Sequence, residues 1–192
     1  PYLKLKLGDK IVESFSRTEK KSGTDSKGKA YTAECEVVLA ITKENSKSEQ
    51  LFFHNTATMR DIQGVHQQAF MYALRTFFRK IEAEKGVKIV ESDYRDYVSV
   101  IVSSYSNITS FYNQTKDAVS DTFTFDIINT AIKEILELEV AKGNETITNF
   151  IDDVVNASVA RQRAKLIEQQ ERKARRATTM RRKPEKFKDC SE

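Results

Sequence analysis

Cysteine is nearly absent from this chain. Cys35 sits inside an apolar run and Cys190 lies far from it in sequence, and two thiols build neither a disulfide framework nor a four-ligand zinc site. A reducing compartment is the expected context. Histidine is equally scarce. His54 and His66 are the only two, Asp61 is the only carboxylate near them, and no H-E-x-x-H spacing links them, so ordinary surface or boundary roles are expected. No apolar run approaches the roughly 18 residues that cross a bilayer, and the stretch PYLKLKLGDKIVESF has no uninterrupted apolar segment of the secretory kind. The expected location is intracellular and cytoplasmic, or a virion if the source is viral. There is no G-x-S-x-G elbow and no repeat with a period of 20–50 residues.

What is present is a globular composition with an uneven charge distribution. Hydrophobic residues make up 39% and charged residues 31%, which supports a packed core under a charged surface. Residues 161–192 hold twelve Lys and Arg against five Asp and Glu. Taken from totals of 32 and 28, that leaves 20 basic and 23 acidic side chains for the other 160 residues. The body is near neutrality and the end is cationic.

Hydrophobic periodicity divides the chain into a β-rich first part and a helical remainder. Leu3, Leu5 and Leu7 alternate with Lys4 and Lys6 as in a half-buried strand, and Ile11 to Phe15 follows a Gly8-Asp9 turn signal, giving a first hairpin. Residues 31–42 form the longest strand candidate, with Tyr31, Ala33, Cys35, Val37 and Leu39 on one face and Glu34 and Glu36 opposite. After a turn through residues 43–48, Leu51-Phe52-Phe53 can pair back on that strand. Residues 16–29, rich in Ser, Gly and Lys, read as an exposed mobile loop.

A helix is predicted over residues 58–85, closed by Gly86, with Ile62, Val65, Ala69, Ala73 and Phe77 at helical spacing. Residues 87–91 are a short strand candidate. Tyr94, Tyr97, Ile101, Tyr105, Ile108 and Tyr112 again follow helical spacing, although their β-branched and aromatic neighbours leave a strand open. Further helices are predicted over 125–142 and from about 145 onward, the latter losing its apolar face after Val159, with Pro184 as an outer limit.

The expected fold class is α+β: an N-terminal antiparallel β-meander of three to four strands packed against a helical C-terminal two-thirds, with a protruding basic C-terminal helix. The expected division is one domain over residues 1–160, β-rich over 1–55 and helical over 57–160, followed by a basic helical arm over 161–192.

The arm carries the strongest functional signal. Arg161, Arg163, Lys165, Arg172, Lys173, Arg175, Arg176, Arg181, Arg182 and Lys183 spread around the helical wheel and suit phosphate backbones without sequence specificity. Arg17, Lys20, Lys21, Lys27 and Lys29 form a possible auxiliary loop. Within it, Gly23 to Lys29 matches part of a phosphate-binding loop, but Ala30 stands where Ser or Thr would be needed and a strand follows instead of a helix, so a polar hairpin loop is expected. The acidic pairs Asp93/Asp96, Asp152/Asp153 and Glu134/Glu137 lack metal-site spacing. The aromatics Tyr94, Tyr97, Tyr105, Phe111 and Tyr112 read as core before they read as base-stacking platforms.

These features lead to the expectation of a non-enzymatic, nucleic-acid-associated protein, binding DNA or RNA through the arm, with no catalytic residue, no metal and no cofactor. The expected partners are nucleic acid or an acidic protein surface, in a homo-oligomer or larger assembly, and no membrane. One alternative is a structural subunit of a viral or phage particle whose last helix docks on a neighbour. Another follows from the order of β-meander and long helix containing Tyr72-Ala73-Leu74-Arg75, which resembles single-strand annealing proteins and implies single-stranded DNA binding.

Overall fold

The computed structural model describes residues 2–43, 48–59 and 64–181. The fold is α+β, with the sheet built mainly from the N-terminal part of the chain, the long helices laid on one of its faces and a short N-terminal helix on the other. The elements in chain order are α1 (Tyr2–Leu7), β1 (Ile11–Thr24), β2 (Ala30–Thr42), β3 (Gln50–His54), β4 (Ala57–Met59), α2 (Val65–Lys85), α3 (Glu91–Tyr94), β5 (Val98–Ser106), α4 (Thr122–Ala141) and α5 (Glu145–Arg181).

The five strands lie in the order β1-β2-β5-β3-β4. β1 and β2 form a long antiparallel hairpin and β5 runs antiparallel to β2, but β3 pairs parallel with β5 and antiparallel with β4. The predicted meander is therefore corrected: β3 does not fold back on β2, because β5 is inserted between them. β5 came from the stretch with helical aromatic spacing. Val98, Val100 and Val102 are fully buried on the helix-facing side of the sheet, and their β-branched alternation decides the conformation.

Two other expectations change at the N-terminal end. Leu3, Leu5 and Leu7 lie on a helix, not a strand. Leu3 and Leu7, four residues apart, are buried against Ala40 on the outer face of the sheet, while Leu5 is exposed. The polar segment 16–29 is mostly strand. β1 is an edge strand whose charged residues are paired: Lys20 with Glu34, Lys21 with Asp126, and Arg17 with Glu19 and Glu134. A solvated edge needs no apolar alternation to stay extended.

β2 follows its predicted course. Ala33, Cys35, Val37 and Leu39 are buried toward the helices. α2 begins at Val65, later than expected, because Ala57 to Met59 form β4; Ile62 falls outside the described residues. Ala69, Phe70, Ala73, Leu74, Phe77, Phe78 and Ile81 give α2 its buried face. It ends at Gly86, whose φ of 66° and N–H bond to the Glu82 carbonyl make the left-handed cap. Residues 87–90 form no strand. α4 buries Ile128, Ile132, Ile135 and Leu136, and α5 adds Ile147, Phe150 and Val154. Each such side chain contributes about 1.5–3 kcal/mol on leaving water. Phe78 ties the helices together, stacked on Tyr94 at 4.6 Å and edge-on to Phe150 at 5.5 Å.

Candidate functional site

The polar end of the sheet, where β5 runs out into residues 107–121, concentrates the unusual features of the molecule. Phe111 and Val119 form an isolated antiparallel bridge, and the Tyr112 N–H donates to the Ala118 carbonyl at 2.9 Å. The residues between them form a hairpin. Asn113 Nδ2 donates to Asp117 Oδ1, and Gln114, Thr115 and Lys116 are exposed at its tip.

Lys116 has a φ of 57°. Among the described residues only Asn55 and Thr56 share a positive φ without being glycine. Those two link β3 to β4 in the two-residue hairpin that requires this conformation. Lys116 closes a turn of its own, its N–H donating to the Asn113 carbonyl at 3.4 Å, and takes the left-handed position that follows such a turn in longer hairpin loops. It sits in a left-handed position that Gly or Asn normally fills, at a cost of about 1–2 kcal/mol.

Both feet of the hairpin are fixed. At one end, the Ser110 N–H lies 3.0 Å from each carboxylate oxygen of Asp121, and Ser120 N–H returns a bond to the Ser110 carbonyl at 2.8 Å. Burial pushes the Asp121 carboxyl above its ordinary range, with the Ser110 bonds opposing the shift, and in the β1–β2 turn Asp25 adding to it and Lys27 opposing it. At the other end, the Val65 N–H at the start of α2 donates to the Val119 carbonyl at 3.1 Å.

Beneath the hairpin lie the two histidines, both buried instead of at the surface or boundary. His54 Nδ1 is 2.8 Å and His66 Nε2 is 2.7 Å from Ser104 Oγ, and His54 Nε2 is 2.8 Å from Thr109 Oγ1. Their rings stand edge to face at 5.8 Å. Burial lowers the pKa of His54 to about 4 and that of His66 to about 3, the neighbouring His54 adding to the latter. Both imidazoles are neutral at ordinary pH. Among the described residues no group of three or more His, Cys, Asp and Glu could hold a metal ion.

The residues singled out from the sequence are scattered. Arg161 is committed to the body: it bonds both oxygens of the buried Asp93 and the Lys88 carbonyl. Arg172 pairs with Glu168 one turn back. Arg163, Lys165, Lys173, Arg175 and Arg176 are exposed on α5. For Arg181 only the helical backbone is described, and Arg182 and Lys183 lie outside the described residues.

The auxiliary group is not a loop. Arg17, Lys20 and Lys21 belong to β1, and only Lys27 and Lys29 lie at the turn, where Asp25 Oδ1 accepts both their backbone N–H groups at 2.9 and 2.7 Å. Gly23 has a packing reason: a Cβ there would lie 2.9 Å from the hydroxyl of Tyr31, its register partner. Tyr94 and Tyr97 are core, while Tyr105 and Tyr112 are exposed.

Sequence reasoning missed the hairpin. Its signal was the polar run Asn113 to Asp117 between Phe111-Tyr112 and Ala118-Val119, obscured by the helical spacing assigned to the flanking aromatics.

Comparison with known proteins gives this geometry a context. A model of the DNA gyrase B family matches residues 2–173. Among solved structures, the chain is similar to the 43K ATPase domain of Thermus thermophilus gyrase B, solved with an aminocoumarin. That match has a TM-score of 0.65 at 16% identity and covers 88% of this chain and 44% of that one. It is also similar to the ATP-binding domain of Francisella tularensis topoisomerase IV, solved with a small-molecule inhibitor, with a TM-score of 0.61 at 16% identity over 83% of this chain and 42% of that one. The B subunit of Myxococcus xanthus DNA gyrase matches at a TM-score of 0.52 and 14% identity, over 79% of this chain and 47% of that one. A search of curated proteins by sequence finds no match. The chain thus spans less than half the length of the solved domains it resembles.

These matches overturn the expected function. A family of topoisomerase subunits replaces the non-enzymatic binder of phosphate backbones, the particle subunit and the annealing protein. The viral, assembly, RNA-binding and virion expectations fall with them. Charge segregation misled because a cationic helix is compatible with many partners and carries no information on the chemistry of the body it is attached to.

Proposed function

The chain belongs to the DNA gyrase B family, and from that premise we propose that it forms part of the ATP-operated unit of a gyrase B-type topoisomerase subunit. The hairpin at residues 107–121 presents Lys116 to the phosphates of a nucleotide. The rest of the nucleotide site is supplied by polypeptide outside this chain, consistent with its covering less than half of the ATP-binding domains it resembles. DNA and a partner subunit are partners of the assembled enzyme. Residues 1–160 act as one body and residues 161–192 as its basic extension.

The observation that carries this reading is the backbone of Lys116. A long cationic side chain held in a left-handed conformation, at the exposed tip of a hairpin with both feet fixed, points to a function for the lysine itself. An ammonium group so placed contributes electrostatically. It meets charge on the terminal phosphate and stabilises the charge redistributed as the bond between that phosphate and the leaving nucleoside diphosphate breaks. The firm feet mean little is lost in ordering the side chain's base when nucleotide arrives.

The test is Lys116→Gly in the full-length subunit. Glycine accepts the backbone conformation and removes the cation. Turnover of ATP is expected to fall by about 10²–10³-fold, and Lys116→Arg to recover part of it. Unchanged turnover in Lys116→Gly overturns the assignment.

A further inference from the structure

We propose that His54 and His66 are positioning residues that lock both feet of the Lys116 hairpin to each other through a single shared hydroxyl, Ser104. The functional importance of the hairpin rests on the reading just given; the lock itself rests on geometry alone.

The contacts close into a ring. His54 Nε2 meets Thr109 Oγ1 at 2.8 Å, at the first foot. His54 Nδ1 and His66 Nε2 converge on Ser104 Oγ at 2.8 and 2.7 Å. His66 follows Val65, whose N–H holds the Val119 carbonyl at the second foot, and Ser120 N–H to the Ser110 carbonyl joins the feet across the hairpin. Elements far apart in sequence are thereby coupled: the end of β3, the last part of β5, the first turn of α2 and the loop itself.

Proton counting gives the ring a definite arrangement. Ser104 has one hydrogen and three neighbours, the two imidazole nitrogens and the Phe53 carbonyl at 3.2 Å. A carbonyl can only accept. All three contacts are satisfied when Ser104 donates to Phe53 and accepts N–H bonds from His54 Nδ1 and His66 Nε2. Both imidazoles being neutral, His54 Nε2 then accepts from the Thr109 hydroxyl and His66 Nδ1 carries a bare lone pair. That nitrogen is the buried ring atom without a partner in the structure. Filling a buried site with two imidazoles that leave one acceptor unmet costs stability, and apolar residues would pack there more cheaply. What the imidazoles add is direction, since each ring fixes two hydrogen bonds along set axes and so fixes where the hairpin starts and ends.

The experiment uses the full-length subunit and alters Thr109, which is part-buried and removable without emptying the core. Thr109→Val keeps shape and loses the hydroxyl; Thr109→Ser keeps the hydroxyl. Amide hydrogen exchange is read at residues 111–118 and at Val65, alongside KM and kcat for ATP. In Thr109→Val, exchange is expected to rise about tenfold in the hairpin and also at Val65 across the ring, with Thr109→Ser close to the parent. Exchange unchanged in Thr109→Val, loosening confined to the Thr109 side, or equal loosening in Thr109→Ser overturns the lock. If exchange rises as expected while ATP kinetics stay unaltered in both Thr109→Val and Lys116→Gly, the lock stands and the nucleotide role of the hairpin fails.

Discussion

Arg161 and Asp93 meet through two parallel hydrogen bonds across 68 residues of sequence, Nε to Oδ1 at 2.8 Å and Nη2 to Oδ2 at 2.9 Å. The same carboxylate accepts the Val90 N–H at 2.9 Å and the Ser158 hydroxyl at 2.8 Å. Arg161 also reaches the Lys88 carbonyl, as does Gln162. α5 is thus fastened to the body at the position where its side chains pass from buried to exposed.

Removing the carboxylate should be costly. Burial works to raise the Asp93 pKa, but the Arg161 bonds, with those of Val90 and Ser158, overcome it and hold the carboxyl below its ordinary range. Asp93→Ala leaves Arg161, Ser158 and the Val90 N–H without their shared acceptor. A loss of about 3 kcal/mol is expected in denaturant unfolding, and Arg161→Ala, whose side chain is more exposed, should cost less.

Acid should destabilise the protein in a window set by the buried histidines. Folding lowers their pKa values from 6.5 to about 4 for His54 and about 3 for His66. Below pH 6.5 the unfolded chain binds protons that the folded one refuses. Their contribution is therefore full above pH 6.5, falls between 6.5 and about 4 by roughly 1.4 kcal/mol per pH unit for each histidine, and falls further to about 3 through His66 alone. Unfolding titrations from pH 7 to 4 check the slope, which should be halved in a stable variant lacking one histidine.

Local pattern was sufficient where one element decides its own conformation. The buried alternation of β2, the apolar face of α2 and its Gly86 cap, and the isoleucines of α4 all lie where periodicity puts them. It failed where a distant partner decides. Leu3, Leu5 and Leu7 satisfy period two and the i, i+4 pair equally, and only the outer face of the sheet selects the helix. Tyr94 to Tyr105 fits helical spacing while its β-branched content leaves a strand open, and β2 and β3 supply the neighbours that make most of it a strand. The site was illegible for the same reason. His54 and His66 are tolerated in the core because Ser104 and Thr109 meet them, and Arg161 leaves the arm because Asp93 does; none of these partners is near in sequence. The strain at Lys116 has no local signature, since lysine is common in polar turns.

Gly23 should not tolerate a side chain. Its backbone is extended, so the constraint is space: an alanine Cβ would lie 2.9 to 3.2 Å from the hydroxyl and ring carbons of Tyr31. That ring cannot retreat freely, because it stacks on Phe123 at 4.2 Å and is largely buried. Gly23→Ala is expected to lower stability by about 1–2 kcal/mol, with Tyr31→Leu in the same background recovering part of it. Thermal melts of the parent and the two variants measure this.

Lys116→Gly should have the opposite effect on stability. The native φ of 57° is one that glycine adopts without penalty, whereas a side chain there crowds its own carbonyl. Glycine also gains freedom in the unfolded chain, which offsets part of the relief. The lysine side chain is exposed at the hairpin tip, so little packing is lost with it. The balance favours the variant by about 0.5–1 kcal/mol, measurable as a rise in the denaturant midpoint at unchanged slope. Lys116→Ala is the control, since it removes the same cation and keeps the strain: its midpoint should stay near the parent. A gain in stability with glycine alone, together with loss of ATP turnover in both variants, identifies a position where the fold carries strain for the sake of one ammonium group. Equal stability of the glycine and alanine variants would mean that the turn relaxes in solution and that its backbone holds no such strain.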